Sequence, residues 1–344
     1  MKVYRSEKHV LHFPKGELYG GELVRPFECP ERWDYVMDRL SERGYEEFSE
    51  PGEFDVDLVQ RVHTPDFLEF LESAWDLWKA EGMSGEAIPA VMPTRRMQQN
   101  RVPNHIDGKL GYYAMAIETA ITSGTWEAAK SAAACAISAQ LAIGTDRSAF
   151  ALCRPPGHHA GKDLYGGYCF MNNAAVAVEG LVRGGAGRVA LLDVDFHHGN
   201  GSQDIFYDRD DVLFCSLHGQ PEDAFPHFLG YSDEGGSGNG EGYNWNYPMP
   251  PNTQFSVWFD AMQDACRKIQ EFSPDALVVS LGVDTFKDDP ISFFKLDSDD
   301  FTRYGEAIGR LGLPTVFIME GGYAVSEIGL NTVNVLDGFL ATGN

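Results

Sequence analysis

The sequence predicts a single α/β domain of three layers (1–344), with a mostly parallel central sheet and helices on both of its faces. Three observations lead to this prediction. Apolar segments of strand length alternate with helical patterns through most of the chain. One of these segments, VALLDVDF at 189–196, is almost entirely apolar, which is typical of a parallel strand buried on both sides. Neither an internal repeat nor a linker divides the chain.

The N-terminal part combines one short strand with several helical patterns. The strongest helix signal starts at Thr64-Pro65-Asp66, because proline is favoured in the first turn, where its missing N–H is not needed. Apolar Phe67, Phe70 and Leu71 follow it at helical spacing. The other predicted elements are a strand at 2–6, a turn-rich acidic segment at 17–22, and helices at 32–43 and 56–63.

Residues 81–105 interrupt this pattern. The segment contains three prolines and two glycines and has no sustained periodicity. A structureless segment of this length inside a compact domain is usually either functional or disordered. Its methionine and valine content is high for a disordered segment. We therefore expect an ordered loop that packs against another surface, such as a second subunit.

The remainder of the chain reads as helices alternating with strands. A glycine-rich segment at 235–242, GGSGNGEG, resembles a phosphate-binding loop only superficially, because no predicted strand leads into it and no helix leaves it. It is predicted to be a flexible loop without a ligand. The predicted helices are 111–121, 125–143, 172–183, 255–272, 301–311 and 325–340, and the strands are 148–152, 188–195, 212–217, 276–281 and 315–319.

Acidic residues outnumber basic ones. The chain has 51 Asp plus Glu against 27 Lys plus Arg, a formal net charge of −24. This argues against nucleic acid as a partner, since phosphates require a basic surface. A negative field instead suits a small cationic substrate, although general solubility accounts for most surface acids.

The cysteines and the N-terminus indicate the compartment. No apolar core of signal-peptide length is present at the start, and no segment approaches the roughly 20 apolar residues of a membrane span. Six cysteines are scattered without a Cys-x-x-Cys pair. We interpret them as buried free thiols of a cytoplasmic protein, and not as disulfides or a thiolate metal site.

Four polar clusters follow predicted strands: RPPGHHA at 154–160, DVDFHHGNG at 193–201, SLGVD at 280–284 and EGGY at 320–323. Because the carboxyl ends of parallel strands share one edge of a sheet, these clusters are expected to meet at one site. The adjacent histidines of the first cluster suit a proton-transfer pair. The glycines of the last cluster permit close backbone approach to a ligand.

The second and third clusters contain a possible set of metal ligands. Asp195 and His197 are two residues apart, so on an extended chain both side chains leave the same face. A polar strand end with capping residues explains this pair equally well when it is considered alone. Together with Asp284, however, it offers three ligands and leaves a fourth position open, which is the arrangement of catalytic zinc. Asp193 also points toward this face and could hold a histidine or a second cation.

The motifs RPPGHHA, GGYCFMNNAA, LLDVDFHHGNG, SLGVDTF and EGGY resemble those of histone deacetylases, in the arginase–deacetylase superfamily. The resemblance extends from ELYGGE near the N-terminus to the final helix. ELYGGE, segment 81–105 and DPISFFKL are most similar to the bacterial acetylpolyamine amidohydrolases. Arginases carry two further aspartates that bridge a second metal; here Gly199 and Gly282 occupy those positions, which favours one zinc ion.

The resemblance implies roles for individual residues. His158 and His159 would be the tandem histidines, with His159 as general base, and Asp193 and Asn200 would orient them. Class I deacetylases have Asp in place of Asn200, so the second pair is expected to be less basic. Tyr323 would donate its hydroxyl to the developing oxyanion. The implied zinc ligands are Asp195, His197 and Asp284.

The resemblance also implies two potassium ions and a tunnel that holds the substrate. Tyr168 and Phe225 would form aromatic walls around a methylene chain, although ordinary packing remains an alternative for Phe225. The implied first potassium site is Asp193, Asp195, His197, Ser216 and Leu217, and the second is Phe206, Arg209 and Val212. The implied substrate-binding residues are Glu17, Tyr19, Asp107, Glu118, Gly167, Tyr168, Phe225, Ile291 and Gly321.

These observations predict a zinc-dependent amidohydrolase that deacetylates N-acetylated polyamines or aliphatic diamines. In similar proteins, the segment matching 81–105 forms a dimer interface and narrows the tunnel, so a homodimer is expected. A broader lysine or peptide deacylase is the main alternative. A non-catalytic binder of acetylated cations is disfavoured because the metal ligands, the tandem histidines and Tyr323 are all present. An arginase-like ureohydrolase lacks its extra carboxylates.

Overall fold

The computed structural model describes residues 1–343. Its strands are β1 (Lys2–Tyr4), β2 (Glu17–Tyr19), β3 (Glu22–Val24), β4 (Phe48–Ser49), β5 (Ser148–Ala151), β6 (Val189–Asp193), β7 (Val212–Gly219), β8 (Asn244–Met249), β9 (Ala276–Leu281) and β10 (Thr315–Met319). Its helices are α1 (Glu31–Glu42), α2 (Val56–Val59), α3 (Pro65–Ala80), α4 (Ile106–Tyr113), α5 (Thr125–Ala142), α6 (Asn173–Arg183), α7 (Asn200–Phe206), α8 (Phe255–Phe272), α9 (Ser298–Gly309) and α10 (Val325–Leu340). Short 3₁₀ turns occur at Glu7–Leu11 and Gly238–Gly240.

Eight strands form one sheet in the order β4-β1-β5-β10-β9-β6-β7-β8, and every neighbouring pair is parallel. Strand β6 shows why its sequence is so apolar. Val189 and Leu191 pack into the core under α3, α5 and α6, whereas Ala190 and Leu192 pack into the core under α1, α8, α9 and α10. Successive side chains of a strand point to opposite faces, and here both faces are covered. The predicted three-layer α/β fold is confirmed.

The four strands that precede the polar clusters are neighbours in this sheet. They are β5, β10, β9 and β6, in that order. Because all four run in the same direction, their carboxyl ends lie side by side at one edge. The sheet thus brings together clusters that are up to about half the chain apart.

Four predicted elements have the observed bounds, and the others differ at one end or at both. Helices α8 and α10 and strands β9 and β10 have the predicted ends. The helix predicted at 111–121 is wrong: α4 ends at Tyr113, and Ile121 instead pairs with Ala87 in an isolated bridge. The acidic segment near 17–22 forms the antiparallel hairpin β2–β3. The central strand β6 ends at Asp193, two residues earlier than predicted.

Segment 81–105 contains no helix or strand beyond that bridge. Its first part is fastened by the Trp78 indole, which donates to the carbonyl of Gly85 at 2.8 Å. Its middle lies against α4, where a Cβ on Gly111 would come within 1.6 Å of the Val91 carbonyl oxygen. The side chains of Val91, Met97 and Val102 are largely exposed. Segment 81–105 is therefore an ordered loop with exposed apolar side chains.

A buried ion triad joins helix α1 to the edge of the sheet. Glu28 lies 2.9 Å from Arg32 and 2.8 Å from Arg154, and all three side chains are almost completely buried. Arg32 also donates to the carbonyl oxygens of Glu320 and Gly322, which follow β10. Breaking such a buried set leaves an uncompensated charge and typically costs about 3–5 kcal/mol. The triad therefore holds the polar loops after β5 and β10 in fixed positions.

Two expectations about cysteines and membranes can be compared with the structure. All six cysteines are free, and five are buried while Cys266 is half-buried, as expected. Among residues 1–343, no helix has the length and apolar composition needed to cross a membrane.

Candidate active site

Asp195, His197 and Asp284 converge after β6 and β9. Their candidate ligand atoms all lie within 4.8 Å of one another, and the three residues are buried. The Nδ1 atom of His197 is 3.0 Å from Asp284 Oδ2 and 3.3 Å from Asp195 Oδ1. The extended geometry expected for residues 195–197 is wrong, because β6 has already ended. The side chains meet instead through a bend in which the His197 N–H donates to Asp195 Oδ1 at 2.8 Å.

Glycines make room for this cluster. A Cβ on Gly282 would lie 2.0 Å from Asp195 Oδ2, and one on Gly321 would lie 2.4 Å from the same atom. The Gly321 N–H donates to Asp195 Oδ2 at 2.8 Å. A Cβ on Gly199 would lie 2.2 Å from a carboxylate oxygen of Asp193. The two positions where arginases carry extra carboxylates therefore leave no room for any side chain.

The electrostatics of the cluster fit a bound cation. Burial, and then the nearby charge of Asp195, raise the pKa of Asp284 to about 8. Burial opposes protonation of His197, but its hydrogen bonds to Asp195 and Asp284 raise its pKa to about 9. Burial of Asp195 is outweighed by His158 and His197, which lower its pKa, whereas Asp284 is not compensated to the same extent. Two carboxylates and one imidazole form a donor set that suits zinc with an open fourth position.

The tandem histidines lie beside this cluster on the loop after β5. Nδ1 of His158 is 2.9 Å from Asp193 Oδ2, and Nδ1 of His159 is 2.6 Å from Asn200 Oδ1. An amide oxygen accepts only, so His159 carries its hydrogen on Nδ1 and leaves Nε2 unprotonated. The ring centroids of the two histidines are 4.0 Å apart. The predicted pairings of His158 with Asp193 and of His159 with Asn200 are both present.

The two histidines differ in basicity. Burial disfavours the charged form of His158, but Asp195 and Asp193 outweigh it and raise its pKa to about 10. Burial, followed by repulsion from His158 and His197, lowers the pKa of His159 well below its usual value. One member of the pair therefore holds a proton, while the other is neutral and able to accept one.

Tyr323 lies opposite these histidines on the EGGY loop. Its ring is 5.5 Å from that of Tyr168, and the Arg32 guanidinium is 4.9 Å from its ring centroid. Its backbone N–H donates to Asp289 Oδ2 at 2.7 Å. Asp289 was not singled out from the sequence, although it lies within the DPISFFKL motif. Glu320 likewise had no assigned role, yet its Oε2 accepts from the backbone N–H groups of Gly157 and His158.

A cavity of about 330 Å³ opens onto His159, His197 and Tyr323. Of the predicted substrate-binding residues, Asp107 and Gly321 are not part of its wall. Asp107 lies in the first turn of α4 beside His105, and Gly321 lies behind Asp195. The predicted residues that line the cavity are Glu17, Tyr19, Glu118, Gly167, Tyr168, Phe225 and Ile291, and the wall residues missed from the sequence are Leu18, Phe196, Asp223, Ala224, His227 and Phe293.

Three of the missed wall residues, Asp223, Ala224 and His227, belong to the loop that follows β7. Phe225 of the same loop is predicted from the family resemblance, whereas for these three residues the position after a parallel strand is the available signal. Without a motif, however, the direction of each loop side chain depends on local turns. His227 adopts a positive φ of 66°, which no sequence pattern indicated.

The residues of the two expected potassium sites are also placed by β6 and β7. Asp193 pairs in register with Ser216, and both lie close to Leu217 in the buried part of β7. At the second location, the Arg209 N–H donates to the Phe206 carbonyl at 3.0 Å, and Val212 begins β7. Each set of residues is therefore contiguous in space.

Comparison with known proteins gives consistent results. A family model described as the histone deacetylase domain matches residues 26–339. Acetylpolyamine amidohydrolase 2 of Pseudomonas aeruginosa is 55% identical over 326 residues, which cover 94% of each chain. The acetylpolyamine amidohydrolase of Mycoplana ramosa is 54% identical over 324 residues, covering 94% of this chain and 95% of that one.

Solved structures show the same similarity in three dimensions. The crystal structure of acetylpolyamine aminohydrolase from Burkholderia pseudomallei superposes with a TM-score of 0.94, at 38% identity, and covers 99% of both chains. The sheet, the site at its edge and the sequence similarity therefore agree, and this chain belongs to the histone deacetylase family.

Proposed function

We propose that this protein is a zinc-dependent amidohydrolase that removes acetyl groups from N-acetylated polyamines or aliphatic diamines. The observation that carries the proposal is the convergence of Asp195, His197 and Asp284 beside a cavity that is also lined by His159 and Tyr323. Histone deacetylase family members cleave amides, and similar curated proteins are named acetylpolyamine amidohydrolases. The site combines metal ligands, a base and an oxyanion donor around one space.

Asp195, His197 and Asp284 would hold a zinc ion, which would supply Lewis acidity by lowering the pKa of water and polarising the amide carbonyl. His159 accepts a proton from the attacking water on Nε2, because Asn200 holds the hydrogen on Nδ1. The same nitrogen then gives a proton to the leaving amine. His158, protonated and paired with Asp193, supplies positive charge next to the reaction.

Tyr323 donates its hydroxyl to the oxygen that becomes negative when water adds to the carbonyl. Burial, only partly offset by Arg32, raises the pKa of Tyr323 well above its usual value, so it remains a neutral donor. Its loop is fixed by Asp289 and by the Arg32 bond to the Gly322 carbonyl. A donor fixed before the reaction stabilises developing charge without reorganisation.

The cavity suits a slim acetylated amine. Tyr168 and Phe225 provide aromatic surface for a methylene chain, and Glu118 and Asp223 place carboxyl groups on the cavity wall. The free end of a polyamine is cationic, and the chain carries a net charge of −24. A cavity of about 330 Å³ is near the lower limit of small-molecule sites, roughly 300–1,000 Å³.

Potassium is proposed as a second, structural cation in the buried part of β6 and β7. The supporting observation is that Asp193, Ser216 and Leu217 are fully buried next to Asp195 and His197. A second potassium ion is proposed beside Phe206, Arg209 and Val212. The first ion would lie at the carboxyl end of β6, close to the proposed zinc ligands, whereas the second would lie at the amino end of β7.

Removal of metal provides the first test. Dialysis against a chelator should abolish deacetylation, and about one equivalent of zinc per chain should restore it, because three ligands leave one catalytic position open. Magnesium should not restore it, since that ion prefers octahedral oxygen ligands. Metal analysis of the purified protein checks the zinc content and shows whether potassium is retained. Full activity in zinc-free protein would contradict the mechanism.

Replacement of the oxyanion donor provides the second test. Tyr323→Phe should lower kcat by about 10²–10³-fold, because one donor to the developing negative charge is removed. Zinc content should be unchanged, since Tyr323 is not a ligand. Tyr165→Phe is the matched control: it removes another buried hydroxyl that has no hydrogen-bond partner among residues 1–343. A kcat near the wild-type value in Tyr323→Phe would show that the donor is misassigned.

A substrate panel provides the third test. Acetylated putrescine, cadaverine and spermidine should have kcat/KM values at least about tenfold above those of an acetyl-lysine peptide, and further above acetyl-lysine in a folded protein. The reason is that the cavity admits a narrow chain and places acids near its free amine. Steady-state kinetics on zinc-loaded enzyme measures this. Similar values for all substrates would instead support a broader lysine deacylase.

The assembly is also part of the proposal. The exposed Val91, Met97 and Val102 of segment 81–105 suit a homodimer interface that also narrows the tunnel. Sedimentation at assay concentration should give twice the mass of one chain. Met97→Asp should shift the mass toward one chain, whereas Val257→Asp, at a similarly exposed position on α8, should not. A wild-type protein that sediments as a monomer would rule out this interface.

A further inference from the structure

Tyr168 adopts a backbone conformation that bulky residues rarely take. Its φ is 67°, in the left-handed region, and Gly166 and Gly167 before it also have positive φ angles. A Cβ on Gly167 would lie 2.4 Å from the ring of His159. The turn at residues 166–168 therefore packs closely against His159, the proposed general base. Contacts with surrounding residues stabilise its unfavourable backbone conformation.

Besides the bonds that Gly166 and Gly167 make with Cys169, three hydrogen bonds hold this turn. The Gly167 N–H donates to Glu118 Oε1 and the Tyr168 N–H donates to Thr119 Oγ1, both at 2.8 Å. The Tyr168 hydroxyl donates to Glu17 Oε1 at 3.0 Å. The first two bonds fix the backbone, and the third alone fixes the direction of the ring. That ring is the one that contacts Tyr323, at 5.5 Å between centroids.

Glu17 differs from the other acids near the cavity because both of its oxygens are used within the chain. Oε1 accepts from Tyr168, and Oε2 accepts from the backbone N–H of Phe27 at 3.3 Å. Only 2% of Glu17 is exposed. Glu118 is half-buried, and its hydrogen bonds with Thr119 and Gly167 go to Oε1. Glu118 is therefore better placed to offer an oxygen to a ligand.

Glu17 also connects an otherwise exposed hairpin to the cavity wall. It lies on β2 of the hairpin β2–β3, which pairs with no other strand of residues 1–343. Leu18, Tyr19 and Leu23 of this hairpin are exposed. An isolated two-stranded hairpin is marginally stable in water. The bonds of Glu17 to Tyr168 and Phe27 thus tie the hairpin to the cavity wall.

The charge state of Glu17 also makes it less suitable than Glu118 as a partner for a cationic ligand. Burial, together with Glu118 and Glu28, raises its pKa to about 7, although the bonds from Tyr168 and Phe27 act in the opposite direction. A carboxyl group that is partly neutral near pH 7, with both oxygens occupied, is a poor counter-ion for an ammonium group.

We infer that Glu17 is a positioning residue, which holds the Tyr168 ring and the β2–β3 hairpin in place at the cavity wall. It does not bind the free amine of the substrate. Loss of the hydrogen bond between Glu17 and Tyr168 allows the Tyr168 ring to move away from Tyr323 and the acyl group. The reaction then becomes slower for any acetylated alkylamine, whether its free end is charged or neutral. The inference rests on the proposed function for its choice of substrates.

Two substrates with the same five-carbon chain separate positioning from charge recognition: N-acetylcadaverine, which has a free ammonium, and N-pentylacetamide, which has none. Glu17→Gln should lower kcat/KM about tenfold, and by the same factor for both substrates, because the amide cannot accept both bonds. Tyr168→Phe should have a similar effect. The double variant should be no worse than the more impaired single variant, since the two residues act through one bond.

Glu118→Gln is the matched comparison. Its amide oxygen can still accept from Gly167, but its charge is lost, so kcat/KM should fall more for N-acetylcadaverine than for N-pentylacetamide. A similar selective loss in Glu17→Gln would overturn the inference, as would additive effects of Glu17→Gln and Tyr168→Phe.

Hydrogen–deuterium exchange gives a readout that does not depend on turnover. Glu17→Gln and Tyr168→Phe should both speed amide exchange in residues 17–24, whereas Glu118→Gln should not. If the wild-type enzyme cleaved neither substrate, the proposed substrate class would fail while exchange still decided the role of Glu17. Unchanged exchange of the hairpin in both variants would overturn the inference.

Discussion

Two buried carboxylates, Asp195 and Asp284, impose the main electrostatic constraint on this protein. Neither is exposed to solvent, and a buried charge must be compensated by partners or by a cation. His197 and the backbone N–H groups of Gly321 and Phe196 supply part of that compensation. A divalent cation would supply the remaining positive charge. The glycine-lined space around these oxygens is therefore a candidate metal centre.

The parallel sheet makes such a concentration of charge possible. The loops after β5, β6, β9 and β10 leave neighbouring strands in the same direction, so histidines, carboxylates and Tyr323 meet without a long path between them. The Glu28 triad with Arg32 and Arg154 then fixes two of these loops from beneath. Stability and site geometry are thus linked, because the buried ions that hold the loops also set the position of Tyr323.

The walls of the cavity are supported differently from the candidate metal ligands at its inner end. Those ligands and the tandem histidines follow buried strands, whereas the hairpin β2–β3 and the loops around Phe225 and Glu118 come from elsewhere in the chain. These walls are held by side-chain hydrogen bonds such as those of Glu17 with Tyr168 and of Glu118 with Gly167. The walls therefore depend on tertiary contacts between loops more than on the sheet.

The parallel α/β fold could be predicted from local patterns alone, namely an apolar strand buried on both faces and regular alternation with helices. The motifs also predicted the convergence of His158, His159, Asp195, His197 and Asp284, since each follows a strand in a recognisable cluster. The end of α4, the position of Asp107 outside the cavity and the use of both Glu17 oxygens could not be predicted in this way. These features depend on contacts between residues far apart in the chain, such as Glu17 and Tyr168, which no local pattern records.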